Sequence, residues 1–149
     1  MKPEAHAAQA AAGAAALYPF IGFNALIFGA AVVAIDLDHF IEYWLDTKSV
    51  SIRGLFKYHD TLLNNLDNFL GLNVFHTLEC YAVLYVAGLY LDEANLVLMG
   101  FLFHHLLDQL QLSYMGRPYA RAFSVAEYLV RRRRGYFTSI REVVKARDT

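Results

Sequence analysis

Residues 7–35 contain no Asp, Glu, Lys or Arg over about 29 positions, and no other feature limits the fold as strongly. As one straight helix this run would be ~44 Å long, more than the ~30 Å hydrocarbon core of a bilayer requires. Tyr18-Pro19 stands in its middle, flanked by Gly13, Gly22 and Gly29. Proline disfavours helical geometry at the residue before it and is at home at a helix start. The run is therefore expected to fold back as two antiparallel helices, roughly 4–17 and 20–45. That hairpin would return His6 to the neighbourhood of Asp36.

The remaining chain reads as helical throughout. From Asp46 to Leu70 polar residues alternate with Leu55, Phe56, Leu62, Leu63, Leu66 and Phe69 at helical spacing. This pattern predicts an amphipathic helix lying across the others. Two more apolar helices are expected at roughly 73–91 and 94–112, each ~27 Å long and joined tightly at Asp92-Glu93. A basic helical tail follows from Arg117. No repeat, no strand pattern and no signal-peptide pattern is read.

The expectation is an all-α, small helical membrane protein. It has about four apolar helices, an amphipathic helix and a basic C-terminal helix. Residues 1–116 would form a membrane-embedded metal-site domain, and 117–149 a basic cytoplasmic tail. Composition agrees: 57% of residues are hydrophobic and 18% charged, with mean hydropathy +0.31. Soluble domains carry about 25% charged residues. The single cysteine, Cys80, excludes a disulfide framework and a cysteine-rich zinc site. Net charge is −1, yet 117–149 hold nine Lys/Arg against three acids, while 1–116 hold four against eleven. Cytoplasmic flanks carry the Lys/Arg excess, which places the C-terminus in the cytoplasm. The Arg131–Arg134 run reads as a topology determinant or a contact with anionic headgroups. No nucleic-acid-binding module surrounds it, so no nucleic-acid partner is expected.

The polar residues of the apolar helices converge at one level. Asp36, Asp38 and His39 end the first apolar block; His76 and Glu79 open the next apolar helix; His104, His105 and Asp108 lie late in the last. His104 and Asp108, four apart, share a helix face, as do His76 and Glu79 or Asp36 and His39, three apart. Imidazole and carboxylate without thiolate is the ligand set of a zinc, iron or manganese centre. Taken singly, His6, His59 and His105 read as packing residues. The Asp36–His39, His76 and His104–Asp108 group reads as a site, because several ionisable groups at one membrane depth need a shared reason. A metal-free proton relay is the open alternative.

These motifs resemble those of the bacterial membrane-bound metal-dependent hydrolases, small inner-membrane helical proteins described as related to zinc-dependent phospholipase C. The likeness rests on an early His (His6), Asp36-Leu37-Asp38-His39, His76 in Phe75-His76-Thr77, and Gly100-Phe101-Leu102-Phe103-His104-His105-Leu106-Leu107-Asp108. It covers roughly residues 4–112 in order. Ile35 stands where that family has Pro, and Asn73–Glu79 lack its preceding His-Arg. Arg53, Lys57 or His59 are the expected substitutes for that Arg. The resemblance implies a hydrolase of a phosphoester, including that of a lipid, in the inner membrane with membrane lipids around it. His6, Asp36, His39, His76, His104 and Asp108 would bind one or two divalent ions, zinc first, manganese or iron otherwise. Asp38 or Glu79 would orient or deprotonate the attacking water. The competing expectation is a non-catalytic membrane protein that binds metal or handles ions or protons; a diiron enzyme and a soluble bundle rank below it.

Overall fold

A computed structural model describes residues 3–64 and 70–136. Residues 65–69 of the expected amphipathic helix, and 137–149 of the expected tail with Arg141, Lys145 and Arg147, lie outside the described residues. The described chain is all-α. Its helices are α1 (Pro3–Ile21), α2 (Ala25–Ala34), α3 (Leu37–Thr47), α4 (Ile52–Asn64), α5 (Leu78–Gly88), α6 (Asp92–Tyr114) and α7 (Val125–Arg133).

The apolar run does reverse, but at Gly22 rather than at Pro19. Helix α1 continues through Pro19 to Ile21, and Gly22 adopts φ +57°. Near a helix end proline removes one backbone donor and leaves the turns before it intact. Only glycine takes a positive φ without steric cost. The expected helix 20–45 is also divided, with Ile35-Asp36 forming a turn between α2 and α3. Ile35 and Asp36 keep right-handed backbone angles in that turn.

Helices α1 and α2 lie antiparallel, with Ala10, Phe28 and Val32 buried between them and Phe103 of α6 packed against the group. On the other side of α2, Ala31 and Ile35 bury against Phe101, with Phe75, Tyr81, Leu84 and Val97 around them. Each fully buried Phe or Ile contributes ~1.5–3 kcal/mol, so these layers are the main anchor of α6 on α2. Gly100 allows the close approach. A Cβ there would stand 2.7 Å from Ala31 Cβ and 2.8 Å from Phe28 O. A third cluster (Tyr43, Tyr58, Leu62, Leu112 and Ala120) ties α3 and α4 to the end of α6.

Two non-helical segments complete the body. Residues Val74–His76 form a 3₁₀ turn before α5, which is why the expected helix 73–91 shortens to 78–88. Residues 117–123 fold back as a strap. Gly71 N–H donates to Ala120 O at 3.1 Å, Ala122 N–H to Gly71 O at 3.1 Å, and Leu78 N–H to Phe123 O at 2.9 Å. Ala120 and Ala122 are buried there. The first residues of the basic segment are thus built into the body. Beyond them Ser124 caps α7 by accepting from Glu127 N–H at 3.0 Å, and Glu127 accepts from Phe123 N–H at 2.8 Å. This reciprocal pair is a capping box.

Among the described residues one stretch, Ala5–Thr47, is long enough and holds an 18-residue window apolar enough (mean hydropathy 2.1) to cross a membrane. Helix α5, at 11 residues, spans only ~16 Å. Among the described residues the expected count of four apolar helices of membrane length is not confirmed.

Candidate metal centre

Five of the segments above meet at one point. The end of α1 near the N-terminus supplies His6, the α2–α3 turn Asp36, α3 His39, the 3₁₀ turn His76, and α6 His104 with Asp108. Their ligand atoms form two overlapping groups, His6/Asp36/His104/Asp108 and Asp36/His39/His76/Asp108, each with all atoms within 4.8 Å of one another. Asp36 and Asp108 belong to both. His6 Nε2 stands 3.7 Å from Asp36 Oδ2 and 3.8 Å from Asp108 Oδ1. His39 Nε2 and His104 Nε2 lie 3.4 Å and 3.3 Å from Asp36 Oδ1, and His76 Nε2 lies 4.0 Å from it. His6 and His104 stack with ring centroids 4.3 Å apart. All six sequence-designated ligands are brought together.

The outer nitrogens explain the inward aim of the rings. His104 Nδ1–H donates to Val32 O at 2.7 Å, and a carbonyl can only accept, so Nε2 keeps its lone pair toward the centre. His76 Nδ1–H donates to Asp38 Oδ2 at 3.1 Å, and the same oxygen accepts Phe75 N–H at 3.0 Å. Asn73 Nδ2 lies 3.0 Å from His39 Nδ1 and 3.4 Å from Glu42 Oε2. The acceptors behind His104 and His76 are of the kind that orient metal-binding imidazoles and fix their tautomers. Within the centre, His76 Nε2, His104 Nε2 and Asp36 Oδ1 are buried without a hydrogen-bond partner. Buried polar atoms are nearly always paired, and three pointing at one spot fit a cation bound between them. The group can hold a metal ion.

Asp38 is buried at this level, with Oδ2 on the back nitrogen of His76. Glu79 is placed outside the group altogether. His76 lies in the 3₁₀ turn and not on α5, so their shared helix face does not exist. Glu79 Oε1 accepts Val125 N–H at 3.0 Å, at the start of α7. His105 contacts the rings of Tyr81 and Phe123 and takes a packing role. His59 packs its ring on His39, with centroids 5.1 Å apart. Burial, reinforced by His39, pushes it down to about 3, so it is neutral at ordinary pH. His59 also lines a cavity of about 160 Å³ together with His6, Asp36, His39, Val33, Leu55 and Phe56. Asp36 keeps 27% side-chain exposure there, which makes this cavity the mouth of the centre.

The cation at the centre is Arg121. It donates from Nη1 to Asp108 Oδ2 at 3.1 Å, and its Nη2 stands 3.5 Å from His39 Nε2. Arg53 and Lys57, the expected substitutes, are exposed on α4. Arg121 and Asn73 carry no signal in the sequence, since each lies outside the helical spacings that link the ligands, whereas Glu42 stands three residues after His39 and its i, i+3 spacing could have found it. Only the return of chain after α6 places Arg121 here. Compared with family models, curated proteins and solved structures, the chain matches none.

Proposed function

We propose that the protein is a membrane-embedded, metal-dependent hydrolase acting on a phosphoester. The observation that carries this reading is the two overlapping His₂Asp₂ groups sharing Asp36 and Asp108. Two ions bridged by carboxylates suit in-line displacement at phosphorus, and a bound ion makes water a competent nucleophile near neutral pH. Zinc fits imidazole–carboxylate ligands best, with manganese or iron as the other members of the class. His6 and His104 would hold one ion and His39 and His76 the other, with Asp36 and Asp108 shared between the two groups. Asp38 and Val32 O accept from the outer ring nitrogens of His76 and His104 and so leave their Nε2 lone pairs facing the centre.

The membrane reading is supported by the apolar stretch Ala5–Thr47, whose most apolar window is mostly unburied, and by its outward side chains. Phe20, Phe23 and Leu26 are 83%, 76% and 62% exposed. Helix α7, with Arg131–Arg133, lies at the same end as the centre, since Tyr128 and Arg132 line a cavity with Asp38 and Glu42. With the basic segment inside, the centre faces the cytoplasmic side of a bacterial inner membrane. The family resemblance points the same way.

The test is metal content by plasma mass spectrometry on detergent-purified protein, wild type beside His39→Ala/His104→Ala, followed by a phosphoester screen. Stoichiometric metal lost in the double variant, with phosphoesterase activity lost alongside it, is the expected result. Metal without any hydrolysis would leave a metal-binding membrane protein. No metal in folded, re-metallated wild type would end the hydrolase reading.

A further inference from the structure

Arg121 is the one contact of the centre that a bound ion would disturb. Its Nη2 faces His39 Nε2 at 3.5 Å, at the limit of hydrogen bonding, while Nη1 is held on Asp108 Oδ2 at 3.1 Å. An imidazole nitrogen has a single lone pair. Once an ion takes that lone pair on His39, the Nη2–H loses this acceptor, while Asp108, with two oxygens, can serve both the ion and Nη1. The guanidinium side chain is only 12% exposed, so water does not readily make good the loss, and a buried charged donor without an acceptor is costly.

The backbone also keeps Arg121 from swinging out. Gly71 bonds to both of its chain neighbours, at Ala120 and Ala122, and Arg131 donates from Nη2 to Tyr119 O at 2.7 Å from the far side. A cation so anchored beside two carboxylates and four imidazoles would be redundant for charge balance once divalent ions are present. A negatively charged ligand oxygen would restore the balance and supply the missing acceptor.

We infer that Arg121 is the anion-holding residue of the centre, and that its ligand is a tetrahedral phosphate-type oxyanion whose oxygen sits against Nη2 beside His39. Arginine's planar fork suits phosphate, and its second arm is pre-set by Asp108. The inference rests on the proposed metal centre and names the ligand class of that same site. The phosphate belongs either to free inorganic phosphate or to a lipid headgroup. His39 also lines the cavity whose other walls include Val33, Leu55 and Phe56, so an apolar substituent on the phosphate would have a place to lie.

The experiment is calorimetric titration of full-length, manganese-loaded protein in detergent with inorganic phosphate, and in parallel with a short-chain phosphatidic acid. It compares wild type, Arg121→Gln and Arg121→Lys, with metal content measured in each sample. Loss of one charged hydrogen bond predicts phosphate affinity weakened on the order of 10- to 100-fold in Arg121→Gln, with metal retained, and a smaller loss in Arg121→Lys. Tighter binding of the phosphatidic acid than of phosphate would assign the lipid source; equal binding would assign free phosphate. Wild-type phosphate affinity in both variants would overturn the inference, as would loss of metal together with phosphate in Arg121→Gln, since Arg121 would then only support Asp108. Should Arg121→Gln fail to fold, an unchanged affinity in Arg121→Lys would overturn it and a weakened one uphold it. Arg121-dependent phosphate binding in a protein that takes up no metal would leave the inference standing and remove the metal reading. Neither metal nor phosphate bound by wild type would remove both.

Discussion

The two halves of the centre share Asp36 and Asp108 and differ in what builds them. His6 and His104 come from helices, α1 and α6, and are buried at 5% and 0% exposure with their rings stacked. Their position is set by close helix packing: one turn before His104, Gly100 lets α6 touch the α2 backbone, and Val32 of α2 then receives the His104 Nδ1–H. His39 and His76 are held instead by non-helical chain. The 3₁₀ turn carries His76, Asn73 braces His39, and Arg121 reaches in from the strap. The first half is placed chiefly by helix packing and the second by hydrogen bonds from non-helical chain, while the cavity at Asp36 is lined by His6 of the first and His39 of the second.

The shared carboxylates give the largest expected effect. Asp36→Asn removes a charged ligand from both groups, so bound metal should fall to near background by plasma mass spectrometry. Retention of half the wild-type metal would mean that the halves are independent and that Asp36 does not bridge them. Asp38→Asn acts on one half only. Removing an orienting carboxylate typically weakens metal affinity 10- to 100-fold, and chelator competition should reveal one weakened component beside one unchanged. Equal weakening of both would break the distinction between packed and hydrogen-bonded halves.

Gly100→Ala addresses the packed half. Its Cβ has backbone and Ala31 within 2.8 Å, so α2 and α6 must part, at a cost of about 1–3 kcal/mol. The thermal midpoint should drop, with the His6/His104 component of metal binding weakened ahead of the other. An unchanged midpoint would show that the helices separate freely and that close packing does not set His104. Ser124→Ala is the smallest change. It removes the α7 cap at about 1 kcal/mol and should speed amide exchange in α7 while leaving metal content as in wild type. Loss of metal in this variant would instead make α7 part of the centre's support.

Much of the fold is local in origin and could be read from the chain. The charge-free run 7–35, with glycines to turn it, dictates a helical hairpin, because no other structure satisfies the backbone of so apolar a segment. The hairpin returns His6 to Asp36, and the four-residue spacing of His104 and Asp108 sets them on one face through helical periodicity alone. The spacing within α6 holds before any tertiary contact forms and the hairpin needs only neighbouring helices to meet, which is why the candidate ligands could be read as one group. The site of the turn was misjudged because proline is a visible signal, whereas Gly22 was one glycine among several.

The parts decided by tertiary structure are those that depend on chain far apart in sequence meeting without a repeating pattern. His76 and Glu79 look paired by spacing, yet a 3₁₀ turn separates them and Glu79 serves the start of α7. Asp38 lies between two centre residues, yet its carboxylate meets His76 from behind, across 38 residues of chain. Arg121 follows Asp108 by thirteen residues and carries no periodic relation to it, and a pair of backbone hydrogen bonds to Gly71 brings it home. Helical spacing is written in the sequence because each residue's neighbours are fixed by the helix itself. The direction in which a loop returns is not, because it depends on which distant surface the loop finds to bond.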